Sequence, residues 1–143
     1  MKLKDKLFLS PKLEVRSTGF RSFSVFCNEK IKKNELIEES PLILLSNNEF
    51  EQCDAELRKY IFPWTELKTN WEDFCDKNDG ILYEHAARPV VVLGYGMLYN
   101  NSNSYNTTFY IDQHRFTCVY KAIRDIEAGS EITINNIIQK HDK

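Results

Sequence analysis

Short strand-type segments separated by turn residues are the feature that most constrains how these 143 residues can fold. β-Branched and aromatic residues are concentrated in runs such as 23–27, 90–93 and 115–120, and Gly, Pro, Asn or Asp residues lie between the runs. These runs do not alternate with helices in the β-α-β order that a nucleotide-binding Rossmann fold requires. The pattern favours an α+β domain that is mostly β.

The same pattern predicts where the individual elements lie. Strands are predicted at residues 7–9, 13–15, 23–27, 36–37, 42–45, 90–93, 107–111, 115–120 and 131–134. Ser46 and Glu49 form a capping-box pair, and apolar residues then recur at helical spacing until Pro63, which predicts one amphipathic helix. A second, short helix is predicted at residues 69–75, before a turn at residues 78–80.

Composition and charge narrow the class of protein. A hydrophobic fraction of 42% with 28% charged residues is typical of a soluble globular chain. No apolar run approaches the roughly 18–20 residues of a membrane span, and the first residues lack the apolar core of a signal peptide. We therefore expect an intracellular protein, nuclear or cytoplasmic, with no membrane partner. A formal net charge of −2 argues against nucleic acid as its main partner.

The cysteines and histidines do not form a recognisable site. Four cysteines are scattered without a C-x-x-C pair, which is unlike a disulfide framework, and each lies among apolar residues. We interpret them as reduced, mostly buried thiols. The three histidines have no second ligand at zinc spacing, so no metal site is expected.

Three stretches carry a resemblance to a known family. Residues 22–27 read SFSVFC and precede NELIEESP at 34–41; residues 93–106 read LGYGMLYNNSNSYN; residues 122–136 read AIRDIEAGSEITINN. In this order they resemble the G-x-G-V-F-A, E-L-I-E-E-x-P, L-G-x-G-x-L-Y-N-H-S-x-x-P-N and A-x-R-D-I-x-x-G-E-E-I-x-I-N-Y motifs of the SET domain. Residues 60–64, YIFPW, also resemble the Y-x-F-x-W of small stand-alone SET proteins. The resemblance covers roughly residues 7–137.

The resemblance implies a fold and an activity. SET domains are protein-lysine methyltransferases that use S-adenosylmethionine. Their fold consists of small curved sheets, with a C-terminal segment threaded under a loop as a pseudoknot. By similarity, residues 1–143 form a single SET-like domain with a helical insert at about 46–89, and the loop is residues 100–106. The cofactor and a protein or peptide substrate carrying a lysine would bind on opposite faces and meet through a narrow channel.

The cofactor-binding residues follow from two of these motifs. Phe23 and Ser24 lie in the G-x-G segment, where Ser22 and Ser24 stand in place of the glycines. At the N-H-S motif, Asn100 and Ser102 are kept, and Asn101 replaces the histidine. In the family the asparagine side chain and the histidine main chain hold the cofactor. An alternative interpretation of residues 100–106 is a polar turn whose Asn and Ser side chains bind their own backbone.

The largest departure from the family lies at Asn136, where the family has a tyrosine that orients and deprotonates the lysine. A carboxamide has no phenolic hydroxyl with a pKa of about 10. Tyr99 and Tyr105 are the candidate phenols that could replace it, and Tyr110 is a further one. Tyr95, Phe109 and Tyr110 are candidates to line the lysine channel, with ordinary packing as the alternative for each.

Three functions are therefore compatible with the sequence. The first is an S-adenosylmethionine-dependent lysine methyltransferase. The second is a catalytically impaired SET-like domain that binds or regulates a partner, because the departures from the family lie at positions of chemical importance. The third is an unrelated α+β interaction domain. Binding of the cofactor separates the first two in part, and an unthreaded C terminus would remove both.

Overall fold

The structure is a computed structural model and describes residues 6–45, 47–58, 60–63, 89–112 and 115–135. These residues form nine strands and two short helices. The strands are β1 (Leu13–Gly19), β2 (Ser22–Cys27), β3 (Leu36–Leu44), β4 (Phe62–Pro63), β5 (Pro89–Val92), β6 (Asn100–Asn101), β7 (Thr107–Asp112), β8 (Thr117–Ala122) and β9 (Thr133–Ile134). The helices are α1 (Asn47–Glu51) and α2 (Ala55–Arg58). The fold is mostly β, as the sequence predicts.

The strands form one small and one larger sheet. β1 and β2 make an antiparallel ribbon, and the other strands pair in the order β4-β5-β3-β8-β7-β9-β6. β3 is the longest strand, since the two segments predicted on either side of Pro41 join into one. Its first part pairs with β8 and its last three residues pair with β5. Pro41 has no amide hydrogen to donate to the ladder, and its carbonyl accepts a hydrogen bond from the Leu93 amide at 2.9 Å, one residue beyond the end of β5.

Residues 130–134 join the two sheets. On one side the Ile132 amide donates to the Val25 carbonyl at 2.8 Å, and the Cys27 amide donates to the Ser130 carbonyl at 3.0 Å. On the other side β9 pairs in parallel with β6 and β7. This segment therefore brings the β1–β2 ribbon beside residues 100–107.

The core lies between these elements and follows the alternation of the strands. Thr107, Phe109 and Ile111 of β7 point inward, whereas Thr108 and Tyr110 are exposed. The largest fully buried side chains are Tyr120, Ile31, Ile37, Ile132, Ile134, Glu38, Val25, Val90 and Val92. A carboxylate is thus part of an otherwise apolar core.

The predicted helix at residues 46–63 is wrong in length. The chain forms α1 and α2 instead, separated by residues 52–54, and then enters β4 at Phe62. Asp54 is the residue before α2, and its carbonyl accepts from the Arg58 amide at 3.0 Å, so it begins a new helix as a favourable N-cap residue. The apolar stripe also lacks a full set of partners, since Leu57 is 45% exposed. The predicted helix at 69–75 and its turn lie outside the described residues.

The ends of other predicted strands also shift. Residues 7–9 contribute a single bridge, between Leu9 and Glu38, in place of a strand. The turn expected at residues 18–19 moves to Phe20 and Arg21, and Arg21 has a positive φ of 57°. In the part of the chain that is described, neither helix is long or apolar enough to cross a lipid bilayer.

Residues 93–98 turn tightly beside the buried carboxylate, and two glycines make this approach feasible. Gly94 has a φ of 68°, and a Cβ atom there would lie 2.1 Å from Glu38 Oε2. A Cβ atom on Gly96 would lie 2.1 Å from Val92 Cγ1. The turn and Glu38 therefore pack against each other without room for a side chain.

We expect Gly94→Ala to lower the free energy of unfolding by more than Gly129→Ala. Both glycines have a positive φ, 68° and 90°, and alanine in such a conformation costs about 1–2 kcal/mol. Only Gly94 would gain a collision, because no described atom lies within 4 Å of a Cβ atom built on Gly129. Overpacking adds about 1–3 kcal/mol, which chemical denaturation would resolve. Equal losses in the two variants would contradict tight packing against Glu38.

Candidate functional site

Three elements meet at the side chain of Asn100, the first residue of β6. Its Nδ2 atom donates to Ser24 Oγ at 2.8 Å and to Glu131 Oε2 at 2.6 Å. Ser24 is a buried residue of β2, and Glu131 comes just before β9. Two of the predicted cofactor residues, Ser24 and Asn100, are therefore in direct contact.

A polar hollow lies next to this contact. Asn101, Ser102, Asn103 and Asn135 line an open cavity of about 210 Å³. The Ser102 amide donates to the Ile134 carbonyl at 3.0 Å, which continues the pairing of β6 with β9. Asn101 and Ser102 of the predicted cofactor set are thus placed together beside Asn100.

Asn106 fastens the loop at residues 100–106 to the C-terminal segment. Its Nδ2 atom donates to the Glu131 carbonyl at 2.9 Å, and its Oδ1 atom accepts from the Thr133 amide at 2.9 Å. Its own amide donates to the Thr133 carbonyl at 3.2 Å. The side chain is buried, so these bonds are shielded from competing water. Asn106 therefore sets the distance between the loop and residues 131–133.

Arg124 holds the same loop from outside. Its guanidinium donates through Nη1 to the Tyr105 carbonyl at 2.5 Å and through Nη2 to the Ser104 carbonyl at 2.7 Å. A planar guanidinium suits two neighbouring acceptors because its N–H groups are fixed in one plane. This contact restrains the backbone at Tyr105, where the family motif has a proline. The structure therefore does not show a loop loosened by the replacement of the family proline with Tyr105.

Glu38 forms a second polar group, inside the core. Its Oε1 atom accepts from the Tyr99 hydroxyl at 2.5 Å, and its Oε2 atom accepts from the Tyr95 amide at 2.9 Å. Burial raises the pKa of Glu38, although the bonds from Tyr99 and Tyr95 oppose the shift. Burial, together with the nearby Glu38 charge, raises the pKa of Tyr99 well above its ordinary value. Through these two hydrogen bonds, Glu38 holds the turn at residues 94–99 in place.

Tyr120 is the centre of an aromatic cluster that includes Tyr99. Its ring centroid lies 4.7 Å from that of Tyr99 and 5.7 Å from that of Phe109. Its hydroxyl donates to the Gly96 carbonyl at 3.4 Å. Burial raises the pKa of the neighbouring Cys118 to about 12, so that thiol stays protonated at neutral pH.

Only some of the predicted catalytic and channel residues lie in one cluster: Tyr99 and Phe109 both pack against Tyr120. Tyr99 is buried with its hydroxyl donated to Glu38, whereas Tyr105 is half-buried in the loop. Phe109 packs inward and Tyr110 is 43% exposed on the opposite face of β7, so the two do not line one surface. Tyr95 is partly buried against the core.

Two predicted residues do not join the group at Asn100. Phe23 is 49% exposed and lies on the face of β2 opposite to Ser24. Asn136 lies outside the described residues. Within those residues, no group of three or more His, Cys, Asp or Glu side chains is placed to hold a metal ion.

Glu131, Glu38 and Arg124 are the residues of this region that sequence reasoning passed over. Each lies inside one of the quoted motifs, but its partners are distant in sequence: Glu131 is 31 positions from Asn100, and Glu38 is 61 positions from Tyr99. An acidic residue within an otherwise strand-like stretch was the available signal for Glu38. Nothing in the linear sequence indicates which side chains Glu131 and Arg124 reach.

We expect Asn106→Asp to destabilise the protein by about 1–3 kcal/mol, because the Glu131 carbonyl would lose a donor while the Thr133 amide kept its acceptor. Asn106→Ala should cost more, since both backbone groups would then lose their partners. Urea denaturation measures both values. The exposed Asn103, changed to alanine, is the control and should stay within about 0.5 kcal/mol of wild type. Losses in the Asn106 variants no larger than this would contradict the anchoring role.

The raised pKa of Glu38 predicts a pH dependence of stability. The folded state holds the Glu38 proton to a higher pH than the unfolded chain does, so the Glu38 contribution falls as pH rises from the unfolded pKa through the folded pKa. Relative to wild type, Glu38→Gln should therefore be least favourable near pH 4 and gain stability toward pH 7. Thermal unfolding at both pH values tests this, with the exposed Glu51→Gln as control. A constant difference between Glu38→Gln and wild type would contradict it.

Comparisons with known proteins agree with this geometry. Residues 22–135 match the model of the SET domain family. The chain is 26% identical over 125 residues to a histone-lysine N-methyltransferase of Schizosaccharomyces pombe, H3 lysine-37 specific, covering 86% of this chain and 71% of the relative.

Solved structures show the same fold. A Plasmodium falciparum protein described as a histone methyltransferase aligns with a TM-score of 0.59 and 24% identity, over 89% of this chain and 94% of that one. The Neurospora SET domain protein DIM-5, a histone lysine methyltransferase, aligns with a TM-score of 0.61 and 20% identity, over 87% of this chain and 51% of that one. The family model covers most of the chain, and both structures share its small curled sheets; the chain belongs to the SET domain family.

Proposed function

We propose that this protein is a lysine N-methyltransferase that uses S-adenosylmethionine and acts on a histone. The observation that carries the proposal is the contact of Asn100 with Ser24 and Glu131 beside the polar hollow. Two of the five cofactor-binding residues expected from the family motifs, Ser24 and Asn100, are in direct contact, and two others, Asn101 and Ser102, follow Asn100 in the chain and line the hollow. The named activity of the Schizosaccharomyces pombe relative supports a protein substrate carrying a lysine, and a histone substrate would place the protein in the nucleus.

The residues at this position are compatible with the cofactor. Ser24 replaces a glycine, but its φ is not positive and its hydroxyl accepts a hydrogen bond from Asn100, so the added polar group has a partner. Asn100, Asn101 and Ser102 would hold the cofactor through amide, hydroxyl and backbone groups. We further propose that residues 1–143 form a single SET-like domain in which the C-terminal segment and the loop at 100–106 make the family pseudoknot.

The chemistry is an in-line displacement. If bound, S-adenosylmethionine would supply a methyl group on a sulfonium sulfur for transfer to the neutral amine of a lysine, with the thioether as leaving group and the amine proton released to solvent, and Asn100, Asn101 and Ser102 would hold it. The protein must align the amine and exclude water. Because the Tyr99 hydroxyl is donated to Glu38, we assign the orienting phenol to Tyr105, with Tyr95 and Phe109 as candidates for the channel wall.

A second candidate function rests on the state of Tyr99 and Asn136. One candidate phenol is buried in a hydrogen bond to Glu38, and the position of the family tyrosine holds an asparagine. A domain of this kind would bind its partner or the cofactor without transferring a methyl group. The two functions differ in turnover rather than in fold.

Transfer of labelled methyl from S-adenosylmethionine to recombinant histones, H3 first, tests the proposal. We expect wild type to label a lysine and Asn100→Ala to lose at least about tenfold in kcat/KM, a loss of about 1.4 kcal/mol in transition-state binding. Thr108→Ala, an exposed change on β7, is the control and should keep the wild-type kcat/KM.

Titration calorimetry with S-adenosylmethionine separates the two functions. Cofactor binding without transfer to any histone would favour the impaired domain, and Asn136→Tyr should then restore labelling if the missing phenol is the cause. If S-adenosylmethionine does not bind at millimolar concentration, the proposed methyltransferase activity is wrong.

A further inference from the structure

We propose that Glu131 is the positioning residue that orients the Asn100 amide, so that the site presents a hydrogen-bond acceptor to its ligand. The inference rests on the proposed function, because it concerns how that function recognises its cofactor. It assigns a role to Glu131 that neither the family motifs nor the sequence analysis supplies.

The carboxylate determines which way the amide of Asn100 faces. An ionised carboxylate only accepts hydrogen bonds, so the atom of Asn100 that lies 2.6 Å from Glu131 Oε2 must be the nitrogen. Ser24 does not decide the orientation, since a hydroxyl both donates and accepts and would bind either end of the amide. Glu131 is therefore the group that makes one orientation unique.

As a consequence, the Asn100 side chain can accept a hydrogen bond from a ligand but has no free hydrogen to donate. Both hydrogens of Asn100 Nδ2 are committed, one to Ser24 and one to Glu131. The carbonyl oxygen Oδ1 is then the atom through which this side chain binds a ligand without breaking either contact. A ligand group meeting Asn100 must be a donor, and an ammonium group is favoured further because the Glu131 carboxylate lies beside the amide.

The position of Glu131 is fixed independently of its side chain. Its backbone pairs with Phe26 of β2, and its carbonyl accepts from Asn106. A change from Glu131 to glutamine keeps this backbone and nearly the same shape, but glutamine offers both a donor and an acceptor. In that variant the Asn100 amide is free to adopt either orientation.

Ligand discrimination is the measurement that tests this orientation. The two probes are S-adenosylhomocysteine and its deaminated analogue, in which hydrogen replaces the α-ammonium group. We expect wild type to bind the amine-bearing probe at least about tenfold more tightly, as for a charge-assisted hydrogen bond. Glu131→Gln should reduce that ratio to near one, whereas Ser24→Ala should keep it. Glu127→Gln, an exposed glutamate on the preceding turn, is the matched control and should also keep it.

Three outcomes have definite meanings. Loss of discrimination in Glu131→Gln alone supports the proposal, and equal discrimination in wild type and Glu131→Gln overturns it while leaving the methyltransferase intact. If wild type binds neither probe, the proposed function fails, and hydrogen exchange of the Asn100 side-chain amide decides the positioning. Exchange that is slow in wild type and faster in Glu131→Gln supports it, and equal rates overturn it.

Discussion

The side chain of Asn106 is the interaction on which the rest of the site depends. Its amide binds the backbone at Glu131 and Thr133 through both of its ends, and it does so inside the protein, where an unpaired backbone group would be costly. Those two residues then act on Asn100: Glu131 accepts its amide hydrogen, and Thr133 pairs with it in the parallel ladder of β6 and β9. One buried asparagine thus sets the register between the loop and the C-terminal segment, and the functional side chains follow from that register.

Local sequence patterns located most of the strands but were insufficient for the helix. Segment 107–111 combines β-forming residues with alternating burial, and segment 23–27 is rich in β-forming residues. The stretch at 46–63 has helical spacing, but one residue of its apolar stripe, Leu57, is 45% exposed. Most helical stability comes from packing an amphipathic face, so spacing without a partner gives two short helices in place of one long helix. The joining of β3 across Pro41 was equally hidden, because it depends on a hydrogen bond donated by the distant Leu93 amide and on one accepted by the distant Phe116 carbonyl.

Some features of the candidate site could be predicted from the local sequence, whereas others depend on contacts between residues that are distant in sequence. Motif order predicted a set of cofactor residues; in the structure Ser24 and Asn100 are in contact, and Asn101 and Ser102 line the polar hollow. It could not predict that the Tyr99 hydroxyl is donated to Glu38, since a buried carboxylate finds its partners only after the sheet has formed. Phe109 and Tyr110 show the opposite limit: both looked suitable for one channel, but neighbouring residues of a strand face opposite ways.

The contacts of Ser24 change how its replacement of a motif glycine is interpreted. A serine in place of a glycine suggests a loss of clearance for the cofactor when it is considered alone. In the structure its hydroxyl accepts from Asn100, the residue expected to hold the cofactor, and its backbone is not in a glycine-only conformation.

Arg124 acts comparably at the position of the missing proline, because two hydrogen bonds to consecutive carbonyls restrain the loop that a fixed φ would otherwise restrain. These two departures are compensated by contacts that preserve the geometry of the site. The replacement expected at Asn136 is of another kind, since no rearrangement of a carboxamide supplies a phenolic hydroxyl.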